Sequence, residues 1–206
     1  MTLPKPNLLE VLDSLENLYG PQKAAGPTDP YEMIVYVNSG YPAADLPCSR
    51  GFEALKREVG LKPENILEAP KTKLTKLMRL GGIVPELRAE KLKDIARMVK
   101  ADLGGELKAV LNKWLMEEKK QPGKGIHGAK NVLQKFPLIG EPGADKILLF
   151  SKLAAVAAVP SRQRAYLLIK KHGQEICKRS TPKCEICPLT GSCAYFQARA
   201  ADSNAE

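Results

Sequence analysis

The chain has 206 residues, 44% of them apolar, which is enough to build a core in one or two compact domains and excludes an intrinsically disordered polymer. Aromatic residues make up only 5%, with Trp114 the single tryptophan, so the core must rest on Leu, Ile, Val and Ala, a mix that favours helices. A net charge of +9 and a pI near 9.3 point to an anionic partner, nucleic acid before a small molecule.

Apolar residues recur at a period of 3.6 and strand-like alternation is absent, which predicts an all-α fold. Leu8, Leu9, Leu12 and Leu15 mark a first helix stopped by Gly20-Pro21. After the loop QKAAGPTDP, Asp29-Pro30 supplies an N-cap and a first-turn proline for a second helix through YEMIVYV. Helices are expected over 49–59, 63–68 and 71–80, ahead of Gly81-Gly82, and Leu87, Leu92, Ile95, Ala96 and Val99 stripe another at 85–100. Residues 101–121, carrying Leu103, Leu107, Val110, Leu111, Trp114 and Leu115, read as one amphipathic helix ended by QPGKG. A helix near 127–136 follows, and then PLIGEPG places two prolines and two glycines in seven residues. The next stretch, 144–159, is apolar on nearly all sides and is expected to be a buried central helix. A short basic helix at 162–172 leads into the cysteines, and there is no repeat.

The opening MTLPKPNLLEVL lacks the long apolar core of a secretory signal, and the apolar run 147–159 is interrupted at Ser151 and Lys152 and is too short to span a bilayer. The expectation is a cytoplasmic protein with no membrane association, in which clustered thiols indicate metal before disulfide.

Cys177, Cys184, Cys187 and Cys193 are spaced C-x6-C-x2-C-x5-C, four thiolates within seventeen residues. Such a set binds either tetrahedral zinc or an iron–sulfur cluster, and spacing by itself leaves the two open. With four cysteines available, neither His127 nor His172 is needed as a ligand, and Cys48, alone in LPCSRGF, reads as a small buried hydrophobe. Positive charge is concentrated nearby: residues 152–183 hold Lys152, Arg162, Arg164, Lys170, Lys171, Lys178, Arg179 and Lys183 against the single acid Glu175.

The cysteine spacing, a proline-and-glycine hairpin before a buried helix and the separation between the two together resemble the endonuclease III branch of the helix-hairpin-helix (HhH-GPD) DNA glycosylases, over roughly residues 8–196. The resemblance implies an all-α, two-lobed fold. One lobe, 31–150, would be a six-helix bundle ending in the hairpin; the other would join 1–30 to 151–206 and carry the cluster at 177–193. It turns the choice of metal to [4Fe–4S], and it implies a monomer, associated with the nucleoid, that binds damaged or abasic double-stranded DNA across the cleft between its lobes. Arg162 and Arg164 would meet phosphates. Backbone amides at Leu138, Ile139 and Gly140 would present an anion site at a helix N-terminus. Leu138 stands where the family has its first hairpin glycine. A left-handed conformation there is costly for leucine, so a turn reshaped around Gly143 is the expectation.

The chemistry implied by the family is harder to place. Its lysine nucleophile aligns with Pro142, which cannot form a Schiff base, and its aspartate aligns with Pro160; no Asp or Glu occurs between Lys146 and Gln174. Lys146, one turn beyond Pro142, and Asp145 are the substitute catalytic candidates. Tyr41-Pro42 occupy the region where the family's glutamine fills the gap left by a flipped base. Three readings follow: a DNA-binding protein whose glycosylase and lyase chemistry is weakened or lost, an active glycosylase or lyase using Lys146 with Asp145, and a structural or redox iron–sulfur protein that does not bind DNA.

Overall fold

The computed structural model describes residues 7–24, 26–40, 45–118, 120–153 and 159–203. These hold eleven α-helices: α1 (Leu8–Tyr19), α2 (Pro30–Asn38), α3 (Asp45–Glu58), α4 (Pro63–Glu68), α5 (Lys71–Met78), α6 (Pro85–Asp102), α7 (Leu107–Glu118), α8 (Lys124–Leu133), α9 (Glu141–Phe150), α10 (Val159–Glu175) and α11 (Ala194–Ser203). Among the described residues there is no strand, and no helix is long and apolar enough to cross a membrane. The chain divides into two compact units, Met1–Ala24 with Ala158–Glu206, and Ala25–Ala157.

In the larger unit the expected start of α2 is realised: Asp29 Oδ1 accepts from the amides of Tyr31 and Glu32, and Pro30 opens the first turn. Of the stripe expected on α6, Leu92, Ile95, Ala96 and Val99 are buried, with Ala89 beside them, whereas Leu87 is exposed; the helix packs on α4 and α5. Helices α7 and α8 pack so closely that a Cβ on Gly128 would lie 2.2 Å from the Trp114 ring. Glu118 then caps α8, its Oε1 accepting from the Gly123 amide at 2.6 Å and its Oε2 from the Ile126 amide at 2.9 Å. Cys48 is buried, as its sequence context indicates.

Two expected helices differ in the structure. The stretch 101–121 is not continuous: Gly104 and Gly105 adopt φ of 59° and 83°, and the Gly105 amide closes on the Val99 carbonyl at 2.8 Å. Two residues in the left-handed region end α6 although the apolar spacing runs on through them. The segment 144–159 likewise stops early. Helix α9 ends at Phe150, Ser151 caps it, and Lys152 turns left-handed at φ 56°; residues 154–158 lie outside the described ones.

The end of α2 is gripped on several sides. The Ser39 carbonyl lies where a Cβ on Gly51 or Gly81 would stand, at 2.1 and 1.9 Å. Arg88, only 3% exposed, donates from Nε to the Ile83 carbonyl at 2.9 Å and from Nη1 to the Gly40 carbonyl. Burial lowers the Arg88 pKa, so those carbonyls replace the water that a guanidinium would otherwise hold.

The smaller unit is built on α1 against α10, with Leu12, Leu15 and Leu168 buried and Tyr19, Ala165 and Leu189 packed around them. Arg164 crosses the seam: Nη2 donates to Asp13 Oδ1 and Glu16 Oε2, both at 2.6 Å.

Gly81→Ala should lower the unfolding free energy by about 2–3 kcal/mol in urea denaturation, because backbone stands where the methyl group would go. Gly173→Ala, in α10 with nothing within 4 Å of the new Cβ, should raise it by about 0.5–1 kcal/mol.

Candidate functional site

The cysteine loop begins where α10 ends. The His172 carbonyl accepts from the Ile176 amide at 2.9 Å and the Cys177 amide at 2.8 Å, which turns the chain out of the helix at the first cysteine. The Ile176 carbonyl in turn accepts from Lys178 at 2.9 Å and Lys183 at 3.0 Å, closing the six-residue spacer. Two single turns of 3-10 helix, Cys184–Ile186 and Thr190–Ser192, set the last three cysteines, with the Cys187 amide on the Cys184 carbonyl at 3.2 Å.

All four cysteines line one cavity of about 210 Å³, walled by Ile176, Tyr195 and Phe196 and edged by Lys178, Arg179 and Lys183. None is in a disulfide. Among the described residues no group of three or more His, Cys, Asp or Glu side chains stands close enough together to hold a metal ion. Four thiols around one cavity are a donor set that suits an iron–sulfur cluster or zinc. Burial pushes the Cys187 thiol pKa up, opposed by a hydrogen bond from the Leu189 amide. His172, beside it, is lowered by burial, which favours the neutral ring.

The basic stretch is not uniformly available. Arg164 is held by Glu16 and Asp13, which raise its pKa, and Lys171 pairs with Glu175 at 2.7 Å. Arg162, Lys178, Arg179 and Lys183 are exposed.

The hairpin joins α8 to α9. Phe136 and Ile139 are buried on either side of it, and the Ile139 amide closes on the Phe136 carbonyl at 3.2 Å. The expectation of a turn reshaped around Gly143 is not met. Leu138 itself takes the left-handed conformation, at φ 61°, while Gly140 has φ −83° and Gly143 lies inside α9. With its side chain 50% exposed, Leu138 escapes a clash by pointing its bulk outward. Asn38 fixes the turn from below, Nδ2 donating to the Pro137 carbonyl at 3.0 Å. Gly140 is the N-cap of α9 and offers no side chain to the first-turn amides.

Pro142 is in the first turn of α9 and exposed; Lys146, one turn on, is half-buried. Asp145 and Glu141 are both held by Lys130, whose Nζ lies 2.8 Å from Glu141 and 3.0 Å from Asp145. This neutralises the acids that would otherwise repel an anion from the helix start. Pro160 falls in the first turn of α10, and Tyr41 lies outside the described residues.

One feature escapes sequence reasoning. Between α5 and α6, Leu80, Ile83, Val84 and Leu87 are all exposed, Ile83 by 63%, and Val84 sits at φ 51° and ψ 52°. A β-branched residue in the left-handed region is a strained outlier, and such strain collects at functional loops. The signal available was GGIVP, an apolar pair between helix breakers; periodicity assigns it to neither face.

Helices, hairpin and cysteine loop together are the all-α, helix-hairpin-helix fold of the endonuclease III-type DNA glycosylases. A trapped endonuclease III–DNA covalent intermediate (an estranged-adenine complex) aligns with a TM-score of 0.65 at 16% identity, over 97% of this chain and 100% of that one. A non-covalent endonuclease III–DNA complex gives 0.66 at 14% identity, over 95% and 99%, and a thermostable thymine-DNA glycosylase gives 0.54 at 18%, over 93% and 97%. No protein-family model matches the chain, and neither does any of the curated proteins.

A left-handed leucine costs about 1–2 kcal/mol. Leu138→Gly should return about 0.5–1 kcal/mol of that in urea denaturation, after the extra backbone entropy of glycine. Leu138→Ala should give no gain.

Proposed function

We propose that this chain is a DNA-binding protein of the endonuclease III type that recognises damaged or abasic duplex without the family's usual glycosylase and lyase chemistry. The observation that supports the reading is the first turn of α9: the hairpin is kept, at the cost of a strained Leu138, and Pro142 falls where the family resemblance would align the nucleophile. The amides at Gly140 and Gly143 suit a phosphate, with Leu138 at the exposed tip. Arg162, Lys178, Arg179 and Lys183 supply the sequence-independent attraction, and Arg164 joins them only by giving up Asp13 and Glu16. The exposed Leu80, Ile83 and Val84 are suited to part a base step as an apolar wedge.

Cys177, Cys184, Cys187 and Cys193 would hold a [4Fe–4S] cluster, which supplies a rigid, anchored corner to a loop otherwise tied to its core by Leu189. The protein would act as a monomer in the cytoplasm at the nucleoid. Against the reading as an active enzyme stands the engagement of Asp145 by Lys130.

Incubation with abasic and oxidised-pyrimidine duplexes under borohydride tests this. We expect binding with no strand cleavage and no covalent adduct. An adduct formed by the unaltered chain and abolished in Lys146→Ala would overturn the non-catalytic reading.

A further inference from the structure

The four cysteines do not share one environment. His172, on α10 and only 7% exposed, lies with Nδ1 3.1 Å from the Tyr19 hydroxyl and Nε2 3.6 Å from Cys187 Sγ. Tyr19, the last residue of α1, meets the imidazole edge-on at a 6.2 Å centroid distance, and Lys171 Nζ covers its ring at 5.5 Å. A chain of polar contacts thus runs from the end of α1 through a buried imidazole to the third cysteine.

We propose that His172 is a positioning residue for the cluster, donating Nε2–H to Sγ of Cys187, with the Tyr19 hydroxyl donating to Nδ1 and so selecting that tautomer. The proposal rests on the reading of the cysteines as cluster ligands. The assignment of donors follows from valence. A ligating thiolate carries no proton, so the sulfur can only accept; the facing nitrogen must then bear the hydrogen, and in a neutral ring the other nitrogen needs a donor, which Tyr19 provides. The Leu189 amide is a second donor to the same sulfur. His172 also holds the first cysteine, through the backbone turn at its carbonyl, so one residue ties two ligands to the α1–α10 core. Hydrogen bonds to cluster sulfurs favour the more negative, reduced state and raise the reduction potential, and a partner behind the imidazole keeps its ring in place.

The test is anaerobic reconstitution of the full chain with ferrous iron and sulfide, in wild type, His172→Phe and Tyr19→Phe, followed by iron and sulfide analysis and voltammetry of the one-electron couple. We expect all three proteins to load a cluster, with the midpoint potential lowered in His172→Phe and lowered less in Tyr19→Phe. Loaded variants that keep the wild-type potential would overturn the role of His172 and leave the cluster itself standing. A wild-type protein that takes up no iron and sulfide would overturn the cluster reading instead. Should His172→Phe fail to fold, Tyr19→Phe decides, since its ring still fills the site and only the hydroxyl is gone.

Discussion

Asn38, Ser39 and Gly40 form the fixed point on which the larger unit's exposed features depend. Asn38 Nδ2 reaches the Pro137 carbonyl and so sets the hairpin at Leu138. Arg88 bonds both the Gly40 and the Ile83 carbonyls, which ties the exposed apolar loop to the same three residues. Gly51 and Gly81 let the Ser39 carbonyl approach to a distance that no side chain would allow. The arrangement has a cost: Asn38 Oδ1 is buried with no hydrogen-bond partner among the described residues, worth about 1–3 kcal/mol. Placing the loops, more than stability, accounts for it.

Strain follows the same geography. Leu138 and Val84, two of the three non-glycine residues at positive φ among the described residues, sit at the tips of the two loops held by the clamp. Each gives up about 1–2 kcal/mol to a conformation that glycine would adopt freely. At Leu138 the exchange leaves an apolar side chain exposed beside the first-turn amides of α9. Apolar tips next to backbone donors suit the proposed DNA ligand, which has flat apolar base faces and phosphates.

Much of this was legible in the sequence, for local reasons. Asp29-Pro30 starts α2 and Gly20 ends α1 because caps and terminators act within a few residues. The all-α class followed from periodicity, and the cysteine set from its spacing. What stayed hidden depends on residues far apart in the chain. Apolar spacing could not show that Gly104-Gly105 would split 101–121, nor that α9 would stop at Phe150. Leu138 looked too costly for a left-handed turn because the support from Asn38 is ninety-nine positions away. Arg164 read as a phosphate contact until its partners Asp13 and Glu16 came from the first helix. Four cysteines leave His172 unneeded as a ligand, yet its place beside Cys187, which spacing does not show, suits it to the positioning role proposed above.

The account stands or falls on DNA. The most direct measurement is the salt dependence of equilibrium binding to a duplex carrying a non-cleavable abasic analogue, compared with an intact duplex and with a Lys178→Ala, Arg179→Ala, Lys183→Ala triple variant. With about 0.9 units of log–log slope for each phosphate neutralised, the account predicts a steep dependence, tighter binding to the abasic duplex, and a slope shallower by about 2–3 in the variant. Absent or salt-insensitive binding, with the variant unchanged, would contradict it.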